Sequence, residues 1–181
     1  MSITHELMIA GFGGQGVLFA GKILSYAGLL AGKEVSWLPS YGPEMRGGTA
    51  NINVMISDTM IGSPIIDNPT MLVAMNQPSL EKFEKDVKKD GIIIVDSTLI
   101  PIKVKRTDVK AFYIPSTKLA EDEGIKGLAN MIMVGKITKE LGIFDLEVVK
   151  VATSKSIPER KQDLLAYNLK AIEIGYNFIE G

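Results

Sequence analysis

An apolar strand that leads into a glycine-rich turn and then into a helix is the feature that most constrains the fold of this chain. Residues 8–10 are apolar, and Gly11, Gly13 and Gly16 follow with the GxGxxG spacing. This spacing allows a tight turn, close approach of the backbone to a phosphate, and close packing of helix on strand. The helix N-terminus adds about half a positive charge at the same point. The sequence therefore predicts either an anion-binding turn or a turn whose glycines serve packing alone.

A second segment, residues 40–51, combines glycine and proline with an aromatic ring, a carboxylate and a guanidinium group. Loops of this composition often carry function, although a wide turn with solvated charges is the plain alternative. We favour a contact surface. Its candidate residues are Tyr41, Gly42, Pro43, Glu44, Arg46, Gly47 and Gly48.

Length and composition fit one folded domain, residues 1–181. The chain has 46% hydrophobic and 23% charged residues, and no apolar run approaches the roughly 20 residues that cross a bilayer. Residues 1–6 lack the basic and apolar stretches of a signal peptide, so we expect a cytoplasmic protein with no membrane attachment. A net charge of -1 without a dense basic block argues against binding to nucleic acid.

Cysteine and histidine usage excludes several kinds of chemistry. The chain has no cysteine, which excludes disulfides, thiolate catalysis and cysteine-ligated iron–sulfur or zinc sites within it. Its single histidine, His5, precedes the first strand and is expected at the surface. No pair of side chains suggests proton transfer. The sequence therefore predicts neither catalytic nor metal-binding residues in this chain.

Hydrophobic periodicity predicts strands and helices in alternation. The expected strands cover residues 6–10, 34–38, 51–56, 72–75, 92–96 and 110–114, and the expected helices cover 15–31, 78–87, 117–122, 128–141, 145–152 and 158–178. The fully apolar strand 92–96 is typical of the centre of a parallel sheet. Strand 51–56 has one apolar face and is expected near an edge or against a partner. The predicted fold is a single Rossmann-like open layered α/β domain with a mostly parallel sheet and a helical C-terminal part.

The glycine spacing by itself also suggests an NAD(P)-dependent dehydrogenase. That function needs an acidic residue at the end of the second strand to hold the ribose hydroxyls, but the residues there are Ser36, Trp37 and Leu38. Asp96 and Ser97 end the central strand, where they either contact a ligand or partner or form a simple helix cap. A stand-alone nucleotide-binding or regulatory module is a further alternative.

Four segments together resemble the gamma subunit of the 2-oxoacid:ferredoxin oxidoreductases that act on 2-oxoglutarate, pyruvate or 2-ketoisovalerate. These segments are residues 11–17, 41–51, 76–79 and 127–131. The resemblance implies a subunit of a complex that converts a 2-oxoacid and CoA to acyl-CoA and CO2 and passes electrons to ferredoxin. It also implies that alpha, beta and in some complexes delta subunits hold the thiamine diphosphate and the iron–sulfur clusters. This chain is then inactive alone.

The resemblance further suggests separate roles for the two glycine-rich segments. Residues 41–48 are expected to dock on the catalytic subunits, with Glu44 and Arg46 paired across the interface. The turn is expected to form a nest of N–H groups for CoA phosphates or for an interface, and its residues are Gly11, Gly13, Gly14, Gln15 and Gly16.

Overall fold

The computed structural model describes residues 3–40 and 49–180. Within these ranges the strands are β1 (Thr4–Phe12), β2 (Glu34–Ser40), β3 (Thr49–Ser57), β4 (Met71–Ala74), β5 (Ile92–Asp96) and β6 (Lys110–Ile114). The α-helices are α1 (Val17–Leu30), α2 (Gln77–Phe83), α3 (Ser116–Asp122), α4 (Ala129–Leu141), α5 (Leu146–Ser156) and α6 (Leu165–Asn177). Among the described helices, none combines the length and the hydropathy needed to cross a membrane.

The six strands form one open sheet in the order β2-β3-β1-β4-β5-β6. β1, β4, β5 and β6 are parallel neighbours, whereas β3 runs antiparallel to both β1 and β2. The structure therefore confirms the open α/β class with a sheet that is parallel over most of its pairings. β3 inserts between β1 and β2, so the strands of the first strand–helix–strand unit are not adjacent. β3 consequently lies second from the edge, and β2 is the outer strand.

The sheet separates two apolar clusters because successive side chains of a strand point to opposite faces. Leu7 and Ile9 of β1 pack in the larger cluster with residues of α1, α4, α5 and α6. Met8, between them, packs in the smaller cluster with Leu72 of β4 and Leu80 of α2. β5 pairs on both sides and its central residues are fully buried, as the apolar sequence predicts.

Helices α4 and α6 cross with their backbones in direct contact. A Cβ atom added at Gly135 would lie 2.0 Å from the carbonyl oxygen of Ile172, and one added at Gly175 would lie 1.7 Å from that of Ile132. Any side chain at either glycine would therefore force the two helices apart. This crossing fixes α4 so that its N-terminus meets the turn that follows β1.

An ion pair, a pair of hydroxyl groups and a half-buried imidazole lie at the amino end of the sheet. Lys33 pairs with Asp58 at 2.5 Å, and the Thr4 and Ser57 hydroxyls lie 2.9 Å apart. His5 is half-buried rather than fully at the surface, because it lies in a small hollow with Lys33, Ser57 and Asp58. Burial lowers the pKa of His5; the Asp58 carboxylate opposes this effect and the Lys33 ammonium adds to it.

Candidate functional site

The glycine turn joins β1 to α1 at the carboxyl end of the sheet. Gly14 and Gly16 have φ angles of +94° and +74°, in the left-handed region that glycine adopts without a Cβ penalty. Gly16 is the residue that precedes the first turn of α1. The first N–H groups of a helix lack intrahelical acceptors, so the turn presents unpaired donors beside the positive end of the helix dipole.

Gln15 fastens this turn to the neighbouring strand. Its side-chain Nε2 donates to the carbonyl of Met75 at 2.9 Å, and its Oε1 accepts from the N–H of Phe12 at 2.6 Å. The backbone N–H of Gln15 also donates to the carbonyl of Phe12, at 3.2 Å. Both ends of the Gln15 side chain are therefore used within the protein, and its main role in the structure is to position the glycines.

Asn130 connects the turn to α4. Its Nδ2 donates to the carbonyl of Gly16 at 3.1 Å, and a Cβ atom at Gly16 would lie 2.4 Å from the same nitrogen. The Asn130 side chain is buried, and its Oδ1 has no hydrogen-bond partner among the described residues. The N-termini of α1 and α4 thus converge on one point. Sequence reasoning did not find this contact, because the two residues are 114 positions apart and carry no local signal for it.

A cavity of about 260 Å³ opens beside the turn. Its lining includes Gly14 and Gln15 of the turn, Thr117 and Glu121 of α3, and Lys126. It lies beyond the carboxyl ends of the strands, where open α/β sheets bind ligands. The Lys126 ammonium forms no ion pair with any carboxylate of the described residues. The cavity therefore combines the glycine turn with one cationic and one acidic side chain, and the turn and Lys126 make it a candidate site for an anionic group.

A second hollow, of about 370 Å³, continues from the first through Lys126 and Gly127. Its remaining walls include Leu128, Leu164 and Tyr167. These side chains are mainly apolar, and Leu164 and Tyr167 are exposed. The two hollows together suit a molecule that has an anionic head and a less polar arm.

Asp96 has a structural role at the end of β5. Its carboxylate is fully buried, accepts from the N–H of Thr98 at 3.0 Å, and accepts from the hydroxyl of Thr117 at 2.6 Å. Ser97 donates its backbone N–H to the carbonyl of Ile114 at 3.0 Å. The sequence offered a helix cap or a ligand contact, whereas these contacts show Asp96 capping the turn at residues 97–99, since that turn, rather than a helix, directly follows β5. Asp96 thereby holds the start of α3 against the sheet.

The contact surface of residues 41–48 lies outside the described residues. In the described ranges, no cluster of three histidine, cysteine, aspartate or glutamate side chains is placed to hold a metal ion.

The glycine turn, the converging helix N-termini and the mixed sheet define a Rossmann-like α/β domain whose carboxyl end carries a candidate anion site. The family model for pyruvate ferredoxin/flavodoxin oxidoreductase matches residues 6–178. This chain therefore belongs to that family. The assignment supports the resemblance seen in the sequence, and it gives no support to a dehydrogenase or a stand-alone nucleotide-binding module.

Relatives of known name agree with this assignment. The 2-oxoglutarate synthase subunit KorC of Methanocaldococcus jannaschii is 36% identical, over 97% of this chain and 94% of the relative. The ketoisovalerate oxidoreductase subunit VorA of Methanothermobacter marburgensis is 39% identical over 94% of this chain, which spans only 35% of that relative. The crystal structure of a keto/oxoacid ferredoxin oxidoreductase gamma subunit from Geobacter sulfurreducens matches with a TM-score of 0.82 at 28% identity, covering 95% of this chain and 96% of that one.

Proposed function

We propose that this chain is the gamma subunit of a 2-oxoacid:ferredoxin oxidoreductase. The complex converts a 2-oxoacid and CoA to acyl-CoA and CO2 and passes the electrons to ferredoxin. The observation that carries the proposal is the match, over nearly the full length of both chains, with separate subunits of such enzymes. Family members that fuse this domain to further polypeptide are consistent with the same role.

The chemistry of the chain supports a role without its own redox cofactor. Iron–sulfur clusters are held by cysteine thiolates, and this chain has no cysteine. We therefore assign the clusters to alpha, beta and, where present, delta subunits, and we propose from the family resemblance that these subunits also hold the thiamine diphosphate. Ferredoxin is reached through those partners, and this chain is inactive when isolated.

The first test is anaerobic purification of the tagged chain from its native host. We expect partners with cysteine clusters and a thiamine-binding fold, identified by mass spectrometry, and an eluate that reduces a dye only when a 2-oxoacid and CoA are both present. A panel of 2-oxoacids then identifies the substrate. A chain that elutes alone and without this activity would contradict the subunit role.

We further propose that the glycine turn contacts a phosphate of CoA. Gly11, Gly13, Gly14 and Gly16 shape the backbone, and Lys126, which lines the same cavity as Gly14, supplies a positive charge. The adjoining apolar hollow is suited to the less polar arm of the same molecule. CoA would thereby be held at the carboxyl end of the sheet and presented to the catalytic subunits.

Gly14→Val tests this contact. Space around Gly14 is open, so the new side chain would project toward the anion site, and we expect the Michaelis constant for CoA to rise roughly tenfold or more, as for the loss of a charge-assisted hydrogen bond. Gly32→Val is the matched control, because Gly32 has a φ angle of +72° and open space at the other end of α1. Equal Michaelis constants in both variant complexes would leave packing as the role of the turn.

We also propose that residues 41–48 dock on the catalytic subunits. Arg46→Glu reverses a charge that is expected to pair across the interface, and a buried charge without its partner costs several kcal/mol. We expect this variant to lose co-purification with the other subunits while retaining its own fold. Lys155→Glu, an equal charge reversal at an exposed position of α5, is the control. Recovery of an intact Arg46→Glu complex would contradict the docking role.

A further inference from the structure

β2 is one of the two edge strands of the sheet, and two of its apolar side chains are exposed. β2 ends the strand order, and no strand of the described residues pairs with its outer side. Free edges in soluble proteins are normally protected by charged side chains, proline, bulges or covering loops. Residues 35–40 carry no charge, and Pro39 is the single protective residue among them. Trp37 is 43% exposed and Leu38 is 38% exposed. This edge is therefore suited to pairing with another chain.

The strand register determines which backbone groups of β2 face outward. The N–H of Asp58, which follows β3, donates to the carbonyl of Ile3. Residues of β3 at two-residue intervals from Asp58, which are the even-numbered ones, therefore form the backbone hydrogen bonds to β1. In an antiparallel ladder the bonding direction alternates along the strand. Odd-numbered residues of β3 therefore bond to β2. Because Ser57 is opposite Glu34, the even-numbered residues of β2 are the ones that bond to β3.

The outward-facing residues of β2 are thus Val35, Trp37 and Pro39. Val35 and Trp37 each present an N–H and a carbonyl, whereas Pro39 presents a carbonyl alone. Proline is tolerated in a sheet where its missing N–H would face away from the neighbouring strand, which agrees with this assignment. Two N–H donors and three carbonyl acceptors therefore face outward along the free edge of β2.

Apolar side chains flank this line on both faces of the sheet. Val35 packs under α1, since a Cβ atom at Gly28 would lie 2.8 Å from its Cγ2. Trp37 projects to the same face because it is two residues further along the strand, and Leu38 projects to the opposite face. An occupant of the edge would therefore gain apolar contacts above and below its backbone.

We propose that an extended segment of a partner subunit pairs with β2 and adds a strand to the sheet. This inference rests on the proposed subunit function. Alternating main-chain donors and acceptors select an extended backbone as the occupant, because a helix has already used its own N–H and carbonyl groups. Pro39 ends the pairing on one side, so the added segment is short and centred on Val35 and Trp37. Its own side chains are uncharged where they contact Trp37 and Leu38.

Residue-resolved amide exchange on the complex purified from the native host tests this pairing. An unpaired edge gives fast exchange at Val35 and Trp37 and slow exchange at Ser36 and Leu38. A paired edge makes all four amides slow, with Val35 and Trp37 roughly tenfold or more slower than in an open strand. A complex that is active with 2-oxoacid and CoA but keeps the alternating fast and slow pattern would overturn the strand pairing alone. Absence of any active complex would instead overturn the proposed function.

A photo-crosslinking amino acid in place of Leu38 identifies the occupant. We expect a covalent product with a peptide of another subunit, which mass spectrometry reads directly. A product with a second copy of this chain would overturn the assignment to a partner subunit.

Substitution supplies an independent measurement. Trp37→Lys places a charge beside the pairing line, and we expect roughly a tenfold loss in the amount of partner subunits retained on the tagged chain. Met60→Lys is the control, because Met60 is 88% exposed and lies outside the strands of the sheet. Equal retention in the two variants would contradict the inference even if both proteins fold normally.

Discussion

The two ends of the sheet differ in how completely their polar groups are paired. At the amino end, Lys33 pairs with Asp58, Lys88 pairs with Glu6, and the Thr4 and Ser57 hydroxyls bond to each other. At the carboxyl end, several buried polar atoms have no hydrogen-bond partner in the described residues. They are Asn76 Nδ2, Ser79 Oγ, Ser116 Oγ and Asn130 Oδ1.

The unpaired polar atoms at the carboxyl end are expected to lower the free energy of unfolding there. A buried polar atom without a partner costs about 1–3 kcal/mol, so a set of them at one end of the sheet is expensive unless it serves binding. Local departures from stabilising rules are expected at functional sites. The hollows beside Gly14 and Lys126 lie at the same end. The carboxyl end thus carries both these polar atoms and the cavity beside the glycine turn, which agrees with the proposed ligand site there.

Of the substitutions that compare the two ends, Gly16→Ala at the carboxyl end is expected to reduce stability most. The substitution combines a left-handed φ angle with a Cβ atom 2.4 Å from Asn130 Nδ2, and should cost about 2–4 kcal/mol in the free energy of unfolding. Gly142→Ala is the matched control at the far end of α4, where φ is +61° and space is open, and should cost about 1 kcal/mol. Urea unfolding measures both. Equal losses would show that Asn130 does not constrain the turn.

A smaller loss is expected for Gln15→Ala. Removal of the side chain breaks the bonds to Met75 and Phe12, which at about 1 kcal/mol each should cost about 1–3 kcal/mol. Thr4→Val removes the hydroxyl pair with Ser57 at the exposed amino end, and should cost about 0.5–1 kcal/mol. Thermal unfolding of both variants compares the two ends directly. A greater loss for Thr4→Val would reverse the comparison.

The smallest effect is a pH dependence at the amino end. Burial holds the pKa of His5 below its ordinary value of 6.5, with Asp58 opposing and Lys33 adding to this shift. The unfolded chain therefore binds a proton at higher pH than the folded chain. The stability that depends on neutral His5 is complete above pH 6.5 and falls as the pH drops toward the folded pKa.

Urea unfolding between neutral and mildly acidic pH measures this dependence. His5→Gln removes the titrating group, so the stability of the variant should change less over the same interval. An identical slope in the wild-type protein and the variant would assign the pH dependence to other groups.

Local patterns were sufficient to predict most secondary structure. The apolar strand 92–96 and the strand 110–114 coincide with β5 and β6, because their residues alternate or run continuously apolar between turn signals. The last predicted helix is less accurate. α6 begins only at Leu165, after a 3-10 segment at Glu159–Leu164 in which Lys161 has a non-helical φ of -123°. Its apolar periodicity did not reveal this break.

The structure has a cavity beside the glycine turn that the sequence singled out, since the glycine spacing and the preceding strand constrain the backbone locally. The sequence did not predict what holds the turn in place. Gln15 reaches Met75 and Asn130 reaches Gly16 only after the sheet and α4 have assembled. Such contacts join residues that are distant in the chain, and no short-range pattern encodes them.

Residue types and short spacings were enough to identify most strands and helices, the absence of cysteine and the family. Each of these depends on residue type or short spacing. Only the tertiary structure decided that β3 inserts between β1 and β2, which leaves β2 as the outer strand with Trp37 exposed. Strand order depends on which long-range pairings bury the most apolar surface while satisfying backbone hydrogen bonds. That balance is a property of the whole fold rather than of any one segment.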